Sequence, residues 1–288
     1  MNPWHYAVAR NGFLYPFAIC RIDSAITTKK DEGAELYTGI VVKEVVQQPV
    51  EGVTLYQGDC LKIMMEQPDN SVDGIITDPP YSSGGIHQNV KNQTTGQKYT
   101  SCNAINSFPD FPGDSRDQRS YAFWLSLWLS EAYRIAKPGA PICVFTDWRQ
   151  YPVLSDVLQS AGFVWRGAYV WDKKNARPNK GKFRQTAEFV LWGSKGNMPS
   201  NDRGVGCLPG MSSCSVNKGG RFHQTGKPVE LMKEIISIVE PGGTILDPFM
   251  GSGSTGVATV NSGRQFVGIE YTNHYFEVAS QRLKKQPV

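Results

Sequence analysis

An apolar strand, Thr244 to Leu246, runs directly into Asp247-Pro248-Phe249-Met250-Gly251-Ser252-Gly253-Ser254-Thr255-Gly256. A helix predicted over Ser254 to Asn261 then leads to a second strand, Gln265 to Glu270. Two strands joined by a helix return in the same direction, so they pair parallel, and parallel sheets are covered by helices on both faces. The glycines let the backbone turn tightly and come close to a ligand, while the helix start offers free amides. Glu270, 17 residues past Gly253, stands where nucleotide-binding folds keep an acid for ribose hydroxyls. The loop lacks the closing Gly-Lys-Ser/Thr of a phosphate cradle, which argues against an ATPase.

The same alternation runs through most of the chain. Strands are predicted over Val53 to Gln57, Val72 to Thr77, Pro141 to Thr146, Phe163 to Trp171 and Ala187 to Trp192. Helices are predicted over Cys60 to Glu66, Tyr121 to Ala136, Val153 to Ser160, Val229 to Val239 and His274 to Lys284. Lys137-Pro138-Gly139, Gly162 and Pro241-Gly242-Gly243 supply the stops. The fold class is therefore α/β, with a mostly parallel, doubly wound sheet. Residues 1 to 50 carry no motif, only a strand-like run from Gly39 to Val46, and are assigned as an N-terminal extension of unknown role. The stretch from Ser82 to Asp117 has no periodicity, and loops of that length are usually functional. Gly193 to Gly220 reads as irregular.

A second cluster, Asp78-Pro79-Pro80-Tyr81, follows the buried strand that ends at Thr77. Two consecutive prolines stiffen the loop and remove two backbone donors, leaving its carbonyls free to accept. An acidic acceptor, a free carbonyl and an aromatic ring then stand side by side. That set suits an exocyclic amine: Asp78 and the Pro79 carbonyl accept its two N–H bonds while Tyr81 stacks on the base. Held so, the nitrogen lone pair points at an electrophile. Stacking is worth roughly 1–3 kcal/mol per base, comparable with the cost of extruding one from a duplex. A third cluster, His223-Gln224-Thr225-Gly226-Lys227-Pro228, opens the helix before the glycine loop, and alone it reads as a helix start.

Composition places these clusters in a globular chain with an ample core, at 40% hydrophobic and 11% aromatic residues. No apolar run approaches the ~20 residues of a membrane span, and Met1 to Cys20 does not read as a secretory signal. Six scattered cysteines read as reduced thiols, which places the protein in the cytoplasm. Cys207, Cys214 and His223 match no zinc spacing, so no metal is expected. The net charge is only +4, yet residues 172–222 hold ten basic side chains against three acidic ones. Lys173, Lys174, Arg177, Lys180, Lys182 and Arg184 crowd its first part, as a polyanion-binding face would require. A solvated loop accounts for the charge equally well.

At these residues the chain resembles the amino-methyltransferases that act on DNA bases. Asp78-Pro79-Pro80-Tyr81 is similar to their catalytic motif, Asp247-Pro248-Phe249-x-Gly251-x-Gly253 to their cofactor loop, and His223 to Pro228 to the short His-x-Thr-x-Lys-Pro element before it. The catalytic motif comes first here, with a basic variable region between, an order that resembles the circularly permuted β group and its phage or prophage adenine enzymes. The resemblance implies a seven-stranded Rossmann-like sheet, with the catalytic domain formed by 51–171 and 223–288 and a target-recognition-like insert at 172–222. It implies that His223, Thr225, Lys227, Asp247, Pro248, Phe249, Gly251 and Gly253 line an S-adenosylmethionine site. Glu270 would bind ribose, and Asp59 would lie near the cofactor adenine. The implied partner is duplex DNA with a flipped adenine, and the implied enzyme a monomer or homodimer. Aspartate at the first catalytic position favours adenine N6 over cytosine N4. The alternatives are a cytosine-N4 enzyme, a methyltransferase for RNA or a protein amide, and a catalytically silent DNA-binding module.

Overall fold

The structure, a computed structural model, describes residues 45–82, 116–174, 178, 180–199, 203–215 and 226–286. Its strands are β1 Val45–Gln47, β2 Val53–Gln57, β3 Gly74–Thr77, β4 Pro141–Thr146, β5 Val164–Asp172, β6 Ala187–Ser194, β7 Met211–Ser213, β8 Thr244–Asp247 and β9 Gln265–Glu270. Its helices are α1 Cys60–Glu66, α2 Gln118–Ile135, α3 Tyr151–Ser160, α4 Val229–Ile236, α5 Ser254–Val260 and α6 Asn273–Lys284.

The nine strands among the described residues form one sheet in the order β1-β2-β9-β8-β3-β4-β6-β5-β7. Only β1 and β6 oppose the common direction. The seven longer strands make the expected sheet, and β1 and β7, three residues each, extend its two edges. Two expected boundaries shift as a result. Val45–Gln47 pairs with β2 and so joins the sheet instead of a separate extension. The basic stretch 172–222, expected as a target-recognition-like insert, contains β6, which lies inside the sheet between β4 and β5. β3 and β4 are buried at every position, as strands covered on both faces must be.

Helices α1, α2 and α3 pack on one face around Ile63, Tyr121, Trp128, Ile142 and Leu154. The other face is covered by α4, α5 and α6 through Leu231, Ile235, Ala258, Phe276 and Leu283. Local chemistry sets where these helices begin. Asp59 accepts from the Leu61 and Lys62 amides at the start of α1, and Asp117 from the Arg119 and Ser120 amides at the start of α2. The second cap starts α2 three residues before the expected Tyr121. Pro152 is compatible with a first turn, so α3 begins before the expected Val153. α4 stops at Ile236 instead of Val239 because the chain tightens into three-residue turns, such as Val239 N donating to Ile236 O. Val239 nevertheless stays buried.

The winding reverses between β8 and β3. From β8 the chain steps to β9 on one side, and from β3 it steps to β4 on the other. Ligands of open α/β sheets bind beyond the carboxyl ends of strands at such a reversal. The loops that leave this point begin at Asp78 and Asp247.

Candidate active site

Asp78 follows the last residue of β3 and is gripped from two sides. Tyr81 donates its hydroxyl to Asp78 Oδ1 at 2.6 Å, and Lys227 donates Nζ to Asp78 Oδ2 at 2.6 Å. Lys227 also donates to the Tyr81 hydroxyl at 3.2 Å and lies over the rings of Phe145 and Tyr81. Its side chain is only 7% exposed. Glu188, near the start of β6, completes the group. Its Oε2 stands 3.5 Å from both Lys227 Nζ and the Tyr81 hydroxyl, while Lys173 holds its Oε1 at 2.8 Å. β6 runs against its neighbours, so its first residues reach the edge where β3 and β4 end.

Electrostatics within the group follow from burial and charge. Burial pushes the Asp78 carboxyl up, against the pull of Lys227 and Tyr81. Burial works against the Lys227 charge, but Asp78 and Glu188 outweigh it and keep the ammonium protonated. Burial likewise opposes the Glu188 charge, and Lys227 and Lys173 together hold that carboxyl below its usual value. Burial and both carboxylates drive the Tyr81 phenol far up, so it remains a donor.

The glycine loop leaves β8 beside this group. Asp247 is 1% exposed and turned inward: its Oδ1 accepts the Thr77 hydroxyl at 2.7 Å and the Phe249 amide at 3.1 Å. Pro248 is also buried. These two residues shape the loop from beneath. Phe249 is half-buried and meets Trp124 and Trp128 of α2 at ring distances of 5.4 and 5.2 Å. Gly251 and Gly253 take φ of 51° and 79°, a left-handed conformation that side chains resist. The Gly251 amide donates to Glu270 Oε2 at 3.0 Å, and Arg282 of α6 donates to the Ser252 carbonyl. Glu270 Oε1 already accepts from the Thr272 amide and hydroxyl, so Oε2 keeps room for a further donor. The Gly58 amide donates to the Glu270 carbonyl at 3.0 Å, which sets Asp59 at the neighbouring strand end.

Of the expected site residues, the structure brings together Asp78, Pro79, Pro80 and Tyr81, and joins to them Lys227, which the resemblance assigned to the cofactor. It brings together Asp247, Pro248, Phe249, Gly251, Gly253 and Glu270, with Asp59 capping α1 at the next strand end. His223, Thr225 and Arg177 lie outside the described residues. Lys174, Lys180, Lys182 and Arg184 are exposed on the connection from β5 to β6, whereas Lys173 is tied to Glu188 and is not a free cation. Glu188, Thr77, Trp124 and Trp128 were missed. A lone acid in the apolar run Ala187–Trp192 was the available signal for Glu188. A cavity of about 430 Å³ lies on the opposite face of β6, lined by residues including Trp148, Tyr151 and Phe189. None of Asp78, Glu188, Asp247 and Glu270 lines it.

The sheet's switch point joins an acid-Pro-Pro-aromatic loop to a glycine loop and the buried acid Glu270. The DNA methylase family matches residues 72–204 and 208–281, most of the described sheet. The chain belongs to that family. It is 30% identical over 237 residues to the type II methyltransferase M.HinfI of Haemophilus influenzae, an alignment covering 75% of this chain and 64% of that protein. The M1.HpyAVI–SAM complex superposes with a TM-score of 0.57 at 28% identity, covering 80% of this chain and 98% of that one. The cytosine-N4-specific PvuII DNA methyltransferase superposes with a TM-score of 0.61 at 18% identity, over 82% and 86% of the chains, and shares the fold.

Proposed function

We propose that the protein methylates the N6 amino group of adenine in DNA, with S-adenosylmethionine as donor and the target base flipped out of the duplex. The reading rests on one observation above others: an acidic acceptor and an aromatic ring stand at the end of β3, next to the glycine loop at the sheet's switch point. The residues present suit the donor. Phe249 offers a half-buried ring, Gly251 and Gly253 leave room for close approach, and Glu270 keeps an acceptor for a ribose hydroxyl. The resemblance to the family adds Asp59, after β2, and the His223, Thr225 and Lys227 of the second motif to that side. S-adenosylmethionine supplies an electrophilic methyl group on a sulfonium.

The chain's own residues supply position and electrostatics. Asp78 accepts one N–H of the base amine and the Pro79 carbonyl the other, while the Tyr81 ring covers the base. The nitrogen lone pair then faces the donor without a covalent enzyme intermediate, and the proton passes to Asp78 or to water after the methyl arrives. Lys174, Lys180, Lys182 and Arg184, exposed beside this edge, suit the phosphate backbone, so the connection from β5 to β6 acts as the DNA-contacting element. Aspartate before Pro-Pro-Tyr favours adenine, although a cytosine-N4-specific enzyme shares the fold.

Digestion of enzyme-treated DNA to nucleosides decides between the bases. N6-methyl-2′-deoxyadenosine is the expected product. N4-methyl-2′-deoxycytidine would replace the adenine reading, and the absence of both, with DNA still bound, would make the protein a silent binding module.

A further inference from the structure

Both oxygens of Asp78 hold a donor, Oδ1 the Tyr81 hydroxyl and Oδ2 the Lys227 ammonium, each at 2.6 Å. A substrate amine bound to Asp78 has to share or displace these bonds. Tyr81 points its hydroxyl at Asp78 Oδ1, and Lys227 its ammonium at Oδ2. Whichever buried donor gives way to the amine would lose its acceptor, and buried donors left unpaired are costly.

Glu188 removes that cost. Its Oε2 lies 3.5 Å from Lys227 Nζ and 3.5 Å from the Tyr81 hydroxyl, the two donors that Asp78 now holds. For either donor, a movement of about 1 Å would turn that separation into a full hydrogen bond. Glu188 Oε1 is held by Lys173 at 2.8 Å, and its backbone is fixed opposite Trp171 in the pairing of β5 with β6. The receiving oxygen is therefore set in place before any substrate arrives. Two carboxylates and two ammoniums make a group with no net charge in either arrangement.

We propose that Glu188 is a positioning residue, the second carboxylate to which Tyr81 or Lys227 hands its hydrogen bond when a substrate amine takes its place on Asp78. The proposal rests on the reading of Asp78 as the amine acceptor. It also gives a reason for selecting amines: only a group that donates a hydrogen bond can take a donor's place on Asp78, and a base carbonyl at the same spot would face a carboxylate.

The test uses the full-length enzyme with labelled S-adenosylmethionine and unmethylated duplex DNA. Glu188→Ala and Glu188→Gln should lower kcat roughly tenfold to a hundredfold, with S-adenosylmethionine Kd within about twofold of wild type. Glu188→Asp should recover much of the rate. Glu188→Gln should cost less when added to a Tyr81→Phe background, which keeps the ring and the Lys227 charge, because one of the donors it serves is gone. A merely structural role would instead lower cofactor affinity and melting temperature together and persist in that background, which would overturn the proposal. Wild-type kcat in Glu188→Ala would overturn it as well. If the wild-type enzyme transfers no methyl to DNA, the reading beneath the proposal fails. If it transfers methyl and Glu188→Gln does so equally well, the proposal alone fails.

Discussion

The Thr77 hydroxyl donates to Asp247 Oδ1 at 2.7 Å, joining the last residue of β3 to the last residue of β8. The next residue after Thr77 is Asp78, and two residues after Asp247 stands Phe249. One buried hydrogen bond thus ties the stem of the acceptor loop to the stem of the glycine loop, and the Phe249 amide donates to the same oxygen. A shift of either loop is felt by the other.

Thr77→Val should therefore cost about 1–3 kcal/mol of stability in urea unfolding, since a buried carboxylate loses a donor. It should also reduce both cofactor affinity and kcat, although the side chain touches neither proposed ligand. Thr77→Ser keeps the hydroxyl and should restore most of both. An unchanged cofactor Kd in the valine variant would show that the two loops are independent.

Burial pushes the Asp247 carboxyl up to about 6, against hydrogen bonds from Thr255, Thr77 and Phe249. Between its ordinary value near 3.8 and about 6, the folded protein holds a proton that the unfolded chain has released. Its contribution to stability is complete below that window and is lost as pH rises through about 6, a change on the order of 2–3 kcal/mol. The protonated acid is a poorer acceptor, so cofactor affinity should move the other way and weaken on acidification. Urea midpoints measured from about pH 7 to about pH 5 should rise for the wild type relative to Asp247→Asn. Parallel curves would assign the pH dependence to other groups.

Gly253→Ala places a side chain at φ 79° and sets its Cβ 3.0 Å from Ala279 Cβ. The left-handed backbone alone costs roughly 1–2 kcal/mol. S-adenosylmethionine binding, followed by the fluorescence of Trp124 and Trp128 beside Phe249, should weaken measurably. Ala279→Gly relieves the crowding but not the backbone strain, so the double variant should recover only part of the loss. Full recovery would mean that crowding, and not φ, requires glycine here.

Asp78→Ala should abolish methyl transfer while S-adenosylmethionine Kd stays within about threefold, because the residue stands outside the glycine loop. Breaking a buried ion pair usually costs about 3–5 kcal/mol. Here Lys227 still has Glu188 at 3.5 Å, so the destabilisation should fall below that range. A loss of cofactor binding as large as the loss of transfer would place Asp78 on the cofactor side.

Much of this fold is legible from local signals. The bounds of β2, α1, β4 and β9 coincide with those read from apolar runs and turn residues, and the expected strands before Asp78 and Asp247 lead into the two loops observed there. The edge strands β1 and β7 were not legible as sheet members: each has three residues, and Met211–Ser213 has no apolar alternation to announce it. Lys227 was picked out by its motif but given to the cofactor. Its contact with Asp78 spans 149 residues and depends on how α4 is laid under the sheet. Glu188 was harder still. Only the reversed direction of β6 brings the start of that strand to the edge where the others end, and strand direction is a property of pairing rather than of any local pattern.

The order of strands also governs how the chain is made. β3 lies between β4 and β8, and β2 lies between β1 and β9, so the centre of the sheet is closed by strands from the final quarter of the sequence. During synthesis, Ile75 and Ile76 wait beside a bare strand edge until Thr244–Asp247 has left the ribosome, and Val53 and Leu55 wait for Gln265–Glu270. Apolar edges of this kind invite pairing with other chains. A polypeptide cut short before Thr244 would carry the acceptor loop in full and still leave one edge of each of two apolar strands bare, making it a substrate for chaperones and proteases before it could be an enzyme of any sort.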